Sequence, residues 1–249
     1  MNTQLNDTGG KIRLYVEPDL SQGARIAPAE GQTHYLLRVM RAGQGDRLLL
    51  FNGRDGEWIA RIELAGKRDC ALVCEHRTAP QSEVPDVWLV FAPIKKTPSD
   101  YLAQKAAELG VRVLAPVITR RTIVARVNLE RMRANAIEAA EQSGRLSVPE
   151  VRAPERIERI LGQWPRERRL VFCDESGDAL PIADALKAEP EGAFAILSGP
   201  EGGFAPEERA MIRSHPFVLP VTLGPRILRA DTAALAAFAI WQSVKGDWR

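Results

Sequence analysis

Long apolar runs are missing from this chain of 249 residues. No window reaches the roughly 18 residues that a membrane-crossing helix needs, and Met1 to Asp7 lacks the basic and apolar regions of a secretory leader. A cytoplasmic protein without a membrane partner is expected. Cysteine is scarce: Cys70, Cys74 and Cys173 form an odd set without Cys-x-x-Cys spacing, which argues against a disulfide framework or zinc site and leaves metal out of the expected chemistry. A large surplus of one charge is absent as well. The formal net charge is only +2, so any footprint for nucleic acid has to be local. His34, His76 and His215 are scattered and supply no evident general base. Ser198 sits in Leu-Ser-Gly-Pro rather than Gly-x-Ser-x-Gly, which disfavours covalent hydrolysis. Neither a Rossmann fingerprint nor a P-loop is present, so dinucleotide and nucleoside-triphosphate chemistry recede.

What the chain does have is a repeated strand, glycine turn and helix near its carboxyl end. Ala193–Leu197 and Phe217–Leu223 are short apolar windows bounded by glycine and proline, which reads as buried strand. The first runs into Ser198-Gly199-Pro200-Glu201-Gly202-Gly203-Phe204, the second into Gly224-Pro225-Arg226-Ile227-Leu228-Arg229. Glycines leave main-chain amides uncovered, so a ligand can approach the backbone closely. Pro206, Glu207 and Glu208 open the helix after the first turn, where proline and carboxylates suit the amino end. A second helix opens at Asp231, the expected N-cap residue, and runs to Lys245.

Upstream, short strands at Ile12–Val16, Asp46–Phe51, Glu57–Glu63 and Cys70–His76, with a hairpin-type connection at Asn52–Gly56, predict a small β-barrel or closed sheet. His34–Arg41 reads as a helix with Arg38 and Arg41 on one side. Two prolines in Thr78–Pro85 place a boundary there, giving domains 1–79 and 80–249. Beyond it, Val87–Ala92, Val111–Ile118 and Leu170–Cys173 are further buried strands. A capped helix begins at Thr97-Pro98-Ser99-Asp100 and another runs over Asn128–Gly144. The alternation argues an α/β layer structure with a mostly parallel sheet. Arg120, Arg121, Arg126, Arg131 and Arg133 form the strongest local basic cluster, a solvated face or a phosphate-contacting one.

Ser198–Glu208 with Leu223–Ala234, Gln104–Val111, Pro116–Arg121, and Ala139–Arg145 through Val148–Glu150 together resemble, in order, the motifs of the RsmE family. These are small-subunit ribosomal RNA methyltransferases acting on N3 of a uridine in 16S rRNA. The resemblance covers almost the whole chain. It implies a SPOUT-type parallel sheet with a trefoil knot, preceded by a PUA-like β-barrel, and S-adenosyl-L-methionine as cofactor. It also implies 16S rRNA or the small ribosomal subunit as partner, and a homodimer, for which the alanine face of the last helix with exposed Phe238 and Trp241 is suited. Cofactor contacts carry over to Leu197, Gly199, Glu201, Gly202 and Gly203 on the first turn, and to Leu223, Gly224, Ile227 and Leu228 on the second. Arg229 is placed to stabilise an anionic uracil oxygen, and Asp231 to accept a proton or orient a neighbour. RNA contacts fall on Arg38, Arg41, Arg120, Arg121 and Arg145. Lys105 and Glu108 share a helix side, facing that pocket or pairing with each other. Three departures stand out: Asp231 where the family usually has glutamate, Lys96 and Pro98 where it has glycine and arginine, and Ala205 in place of a capping serine. Another knotted RNA methyltransferase acting on tRNA or ribose, and a non-catalytic RNA-binding module, are the other classes that remain.

Overall fold

A computed structural model describes residues 12–64, 69–94, 96–124, 126–174 and 178–249, without the side chains of 96–98. The expectations for Met1–Asp7, for a cap at Thr97 and for Lys96 and Pro98 therefore lie outside the described residues. The chain forms two compact units. One ends at Glu83 and includes Ala140–Ser147; the other comprises Val84–Ala139 and Val148–Arg249.

In the first unit β1 (Arg13–Tyr15) and β2 (Arg25–Ile26) precede α1 (Glu30–His34), which runs directly into a π-helical turn, Tyr35–Val39. Then come β3 (Arg47–Phe51), β4 (Glu57–Leu64) and β5 (Cys70–Ala79). They make a curled sheet in the order β1-β3-β4-β5-β2, with β1 and β2 as its edges and only the β1–β3 pair parallel. Alternation places Leu48, Leu50, Ile62, Leu72 and Cys74 on one buried face around Leu36. Gly56 has to be glycine, because a Cβ there would stand 2.2 Å from the Ala79 carbonyl and its φ is +83°. The helix expected over His34–Arg41 is shifted toward the amino end: it begins at Glu30 and stops at Val39. Its last turn widens to π geometry and Arg41 turns out at φ 54°, so Arg38 and Arg41 do not share a helix side.

The second unit alternates strand and helix. Its strands are β6 (Val87–Phe91), β7 (Val113–Ile118), β8 (Glu150–Val151), β9 (Glu155–Arg156), β10 (Arg169–Cys173), β11 (Leu180–Pro181), β12 (Phe194–Ser198) and β13 (Val218–Thr222). Its helices are α2 (Lys96–Glu108), α3 (Leu129–Ser143), α4 (Ile157–Gly162), α5 (Ile182–Ala188), α6 (Pro206–Arg213) and α7 (Ala230–Val244). Every pairing is parallel, in the order β11-β13-β10-β12-β6-β7-β8 with β9 also on β7. The strands look continuously apolar because each feeds two cores. Val87, Leu89, Phe194 and Ile196 face one core, shared with α2, α3, α5 and α7; Val90, Phe172, Ala195 and Leu197 face the other, shared with α4 and α6.

Two expectations about α7 are corrected. Phe238 and Trp241 are 0% and 2% exposed, packed with Phe194 inside this chain, so they offer nothing to a partner. The N-cap position belongs to Arg229, and Asp231 falls one residue inside the helix. Gln242, also fully buried, donates to the Leu109 carbonyl at the end of α2 and accepts the Asp247 amide at 3.1 Å. This bond anchors the end of α7 to α2.

Candidate functional site

Because β13, β10 and β12 are parallel neighbours, their carboxyl ends open side by side, the position where open α/β sheets bind ligands. A cavity of about 480 Å³ lies there. Its walls are Cys173 and Asp174 at the end of β10, Ser198–Glu201 with Gly203 and Phe204 at the end of β12 and beyond it, and Thr222–Arg229 from the end of β13 with Ala230 and Ala233 of α7. The volume falls within the range of about 300–1,000 Å³ usual for small-molecule pockets.

Local chemistry shapes both loops. The first closes on a Gly203 amide to Pro200 carbonyl bond of 2.9 Å, with Gly203 at φ 66°. Gly199 lies under the Phe204 ring, which a Cβ would meet at 2.6 Å. The second loop turns at Gly224, φ 103°, where Thr222 Oγ1 accepts the Gly224 amide at 3.3 Å. Ser198 Oγ donates to the Ala230 carbonyl at 3.0 Å, pinning the start of α7 to the end of β12. Among the described residues the amides of Ile227 and Leu228 have no protein partner, which leaves bare donors in the second loop.

The charges are mixed and ordered. Arg226 and Arg229 line the cavity, and neither has an ion-pair partner among the described residues. Asp174, whose side chain is 0% exposed, binds Arg213 Nε at 2.6 Å, and Arg209 Nε lies 3.4 Å from its other oxygen. The positive end of α7 opens at the same wall. Burial pushes the Cys173 thiol up to about 12. A thiol held protonated while its unfolded counterpart ionises near pH 8.5 contributes stability that is full below that pH and is lost as pH rises toward 12. Two outcomes are expected: Cys173 resists iodoacetamide at pH 8 in the native protein, read by peptide mass spectrometry, and urea midpoints fall between pH 9 and 11.

Of the residues singled out from sequence, Gly199, Glu201, Gly203, Leu223, Gly224, Ile227, Leu228 and Arg229 line this cavity. The Leu197 side chain is buried in the sheet core, Gly202 faces Arg121 instead, and Asp231 stands outside the lining with its Oδ1 on the Thr232 amide. Lys105 pairs with Glu108 at 2.6 Å and lines nothing here. Ala205 at the N-cap of α6 makes no side-chain cap; what remains is the reciprocal bond, in which Glu208, at the third helical position, accepts the Ala205 amide at 3.4 Å. Sequence reasoning missed Cys173 and Asp174, because the strand they end lacks the Gly-Pro turn that marks the other two strand ends. It also missed Arg226, whose neighbours Pro225 and Ile227 drew attention to the backbone.

Arg120 and Arg121 are exposed on the loop after β7; Arg120 pairs with Glu207 at 3.3 Å and Arg121 donates to the Gly202 carbonyl at 2.8 Å. In the first unit Arg38 and Arg41 are exposed beside Tyr35, Val39 and Met40. Arg145 is half-buried, with Nη2 on Ser147 Oγ at 3.1 Å and its carbonyl accepting from Arg13 at 3.2 Å. Among the described residues no His, Cys, Asp and Glu cluster could hold a metal ion, and no helix is long and apolar enough to cross a membrane.

Residues 80–242 match the model of an RNA methyltransferase domain, and residues 29–73 that of an RNA methyltransferase PUA domain. A ribosomal RNA small subunit methyltransferase E from Rickettsia conorii is 31% identical over 232 residues, 91% of this chain and 93% of the relative. A putative methyltransferase from Legionella pneumophila, solved with bound S-adenosylmethionine, superimposes with a TM-score of 0.86 at 30% identity, covering 95% of this chain and 98% of its own. A ribosomal RNA small subunit methyltransferase E from Neisseria gonorrhoeae, also bound to S-adenosylmethionine, gives 0.83 at 31% identity, with 96% and 99% covered.

Proposed function

Since the chain belongs to the ribosomal RNA small subunit methyltransferase E family, we propose that it methylates N3 of a uridine in 16S rRNA, using S-adenosyl-L-methionine. The observation that carries this is the glycine-turned cavity at the carboxyl ends of β10, β12 and β13, where, among the described residues, the amides of Ile227 and Leu228 and the cations Arg226 and Arg229 have no partner. The residues present fit the cofactor. Gly199, Gly203 and Gly224 keep the walls free of side chains, Leu223, Leu228 and Phe204 offer apolar surface, and the loop amides offer donors to a purine edge or ribose. When bound, S-adenosylmethionine supplies a methyl group already attached to a good leaving group, so alignment and charge stabilisation are what the protein adds.

The target nitrogen carries a weakly acidic proton that has to leave before or during attack. Arg229, at the amino end of α7 and exposed at the cavity mouth, stabilises the uracil oxygen on which negative charge collects. Asp231, one residue inside α7, orients that first turn and with it Arg229. Arg38, Arg41, Arg120, Arg121 and Arg145 are assigned to RNA, with phosphates fixing register rather than reading sequence. A homodimer belongs to this reading, and Ile227, 92% exposed on the cavity loop, is an apolar side chain that a second copy would cover. Threading of α7 past the first glycine loop, to which Ser198 pins it, is the passage that would tie the trefoil knot.

Nucleoside mass spectrometry of 16S rRNA from cells with and without the gene tests the reaction. Loss of one 3-methyluridine is expected. An unchanged profile, or loss of a ribose methylation instead, rejects the assignment.

A further inference from the structure

The loop after β7, which carries the basic cluster, is fastened to the first glycine loop from beneath. Glu208 is 2% exposed, yet both its oxygens meet backbone amides: Oε1 accepts from Arg120 at 2.9 Å and Oε2 from Ala205 at 3.4 Å. On the outer side Arg121 Nη1 donates to the Gly202 carbonyl at 2.8 Å. The stem of Arg121 lies along Gly202 as well, since a Cβ built there would be 3.7 Å from Arg121 Cβ and Cδ. Arg120 adds a contact to Glu207 at 3.3 Å. Neither Arg121 nor Gly202 lines the cavity, but Glu201 and Gly203, on either side of Gly202, do.

A guanidinium carries five donors in a rigid fork. Arg121 is exposed and spends Nη1 on Gly202, so its outer edge stays open to a phosphate. A phosphate held on that edge would fix the fork in place and, through the Gly202 carbonyl, stiffen the wall formed by Glu201 and Gly203. Stiffening a loop before its ligand arrives lowers the ordering cost of binding that ligand. We propose that Arg121 is a positioning residue for the cofactor loop, and that a substrate-RNA phosphate on its free edge makes RNA and cofactor raise each other's affinity. The proposal rests on the S-adenosylmethionine reading of the cavity. By linkage the enhancement is the same whichever ligand binds first.

Equilibrium dialysis of tritiated S-adenosylhomocysteine, the non-reacting product, against the full-length protein tests this with and without unmodified 16S rRNA transcribed in vitro. In the parent protein RNA is expected to tighten the ligand by about fivefold or more. Arg121→Ala should bind it several-fold more weakly without RNA and show no response to RNA. Arg121→Lys, which keeps one donor for Gly202 but loses the fork, should recover the RNA-free affinity and still lack the response. Arg166→Ala, exposed just before β10 and so at the end of that strand opposite the cavity, should behave as the parent. Parent-like ligand affinity and RNA response in Arg121→Ala, with only RNA binding weakened, overturns the proposal by making Arg121 a plain phosphate contact. If Arg121→Ala does not melt cooperatively, Arg121→Lys decides: a retained response overturns the proposal. Failure of the parent protein to bind S-adenosylhomocysteine would instead reject the cofactor reading itself.

Discussion

Replacing Arg229 with alanine is expected to lower turnover about 10²–10³-fold while leaving affinity for S-adenosylmethionine nearly unchanged, the loss typical of removing one donor from a site of developing charge. The expectation follows from its place. Arg229 lines the cavity at the amino end of α7, has no ion-pair partner among the described residues, and contributes no buried apolar surface. A side chain so placed is needed where negative charge develops. Arg229→Lys should recover only part of the rate, because a point charge cannot contact a planar oxygen edge as a fork does. Single-turnover tritium transfer alongside calorimetry separates the two quantities. Equal losses of rate and affinity would make Arg229 a builder of the pocket rather than a partner of the reacting base.

Trp241→Ala is expected to cost about 3–5 kcal/mol, the usual range for removing a buried tryptophan or phenylalanine. Trp241 is 2% exposed, 5.9 Å from Phe194 and 6.2 Å from Phe238 between ring centroids, in the core beneath the central strand. Its indole Nε1 is buried without a hydrogen-bond partner among the described residues, a defect worth roughly 1–3 kcal/mol. Trp241→Phe removes that orphaned donor along with some volume, so it should cost much less than the alanine. Urea melts followed by far-ultraviolet circular dichroism give both values. Had this residue covered a partner's surface, the alanine variant would alter the concentration dependence of the melt; with Trp241 inside the chain, the melt should shift equally at every concentration.

The same residue shows where the sequence was readable and where it was not. Strand and helix order in the second unit followed from apolar runs punctuated by glycine and proline, and the turns Ser198–Phe204 and Leu223–Arg229 did delimit the cavity. What could not be read was which side of α7 turns inward. Alanine on most of its faces removes the amphipathic contrast that normally reveals a buried stripe, so Phe238 and Trp241 looked available. Asp231 was misplaced by two residues, the cap being Arg229, because aspartate is favoured both at the cap and in the first turn. The end of the helix over His34–Arg41 was lost to a π-turn, which no residue preference announces. Asp174 and Cys173 join the cavity through strand order alone: β10 lies between β13 and β12, an adjacency that sequence separation conceals.

That strand order also sets a timetable for biosynthesis. The strand joining β6 to β10 is β12, residues 194–198, so a chain emerging from the ribosome holds β6 and β7 on one side and β10 on the other with nothing between them. At roughly 5–20 residues per second, the interval from Phe91 to Ser198 is on the order of 5–20 s. Throughout it the inner edge of β6, joined from Cys173 onward by that of β10, exposes unpaired backbone that other nascent chains can seize. Yield in cells should therefore depend on holdase chaperones and slow-growth temperatures more than the stability of the finished fold would suggest.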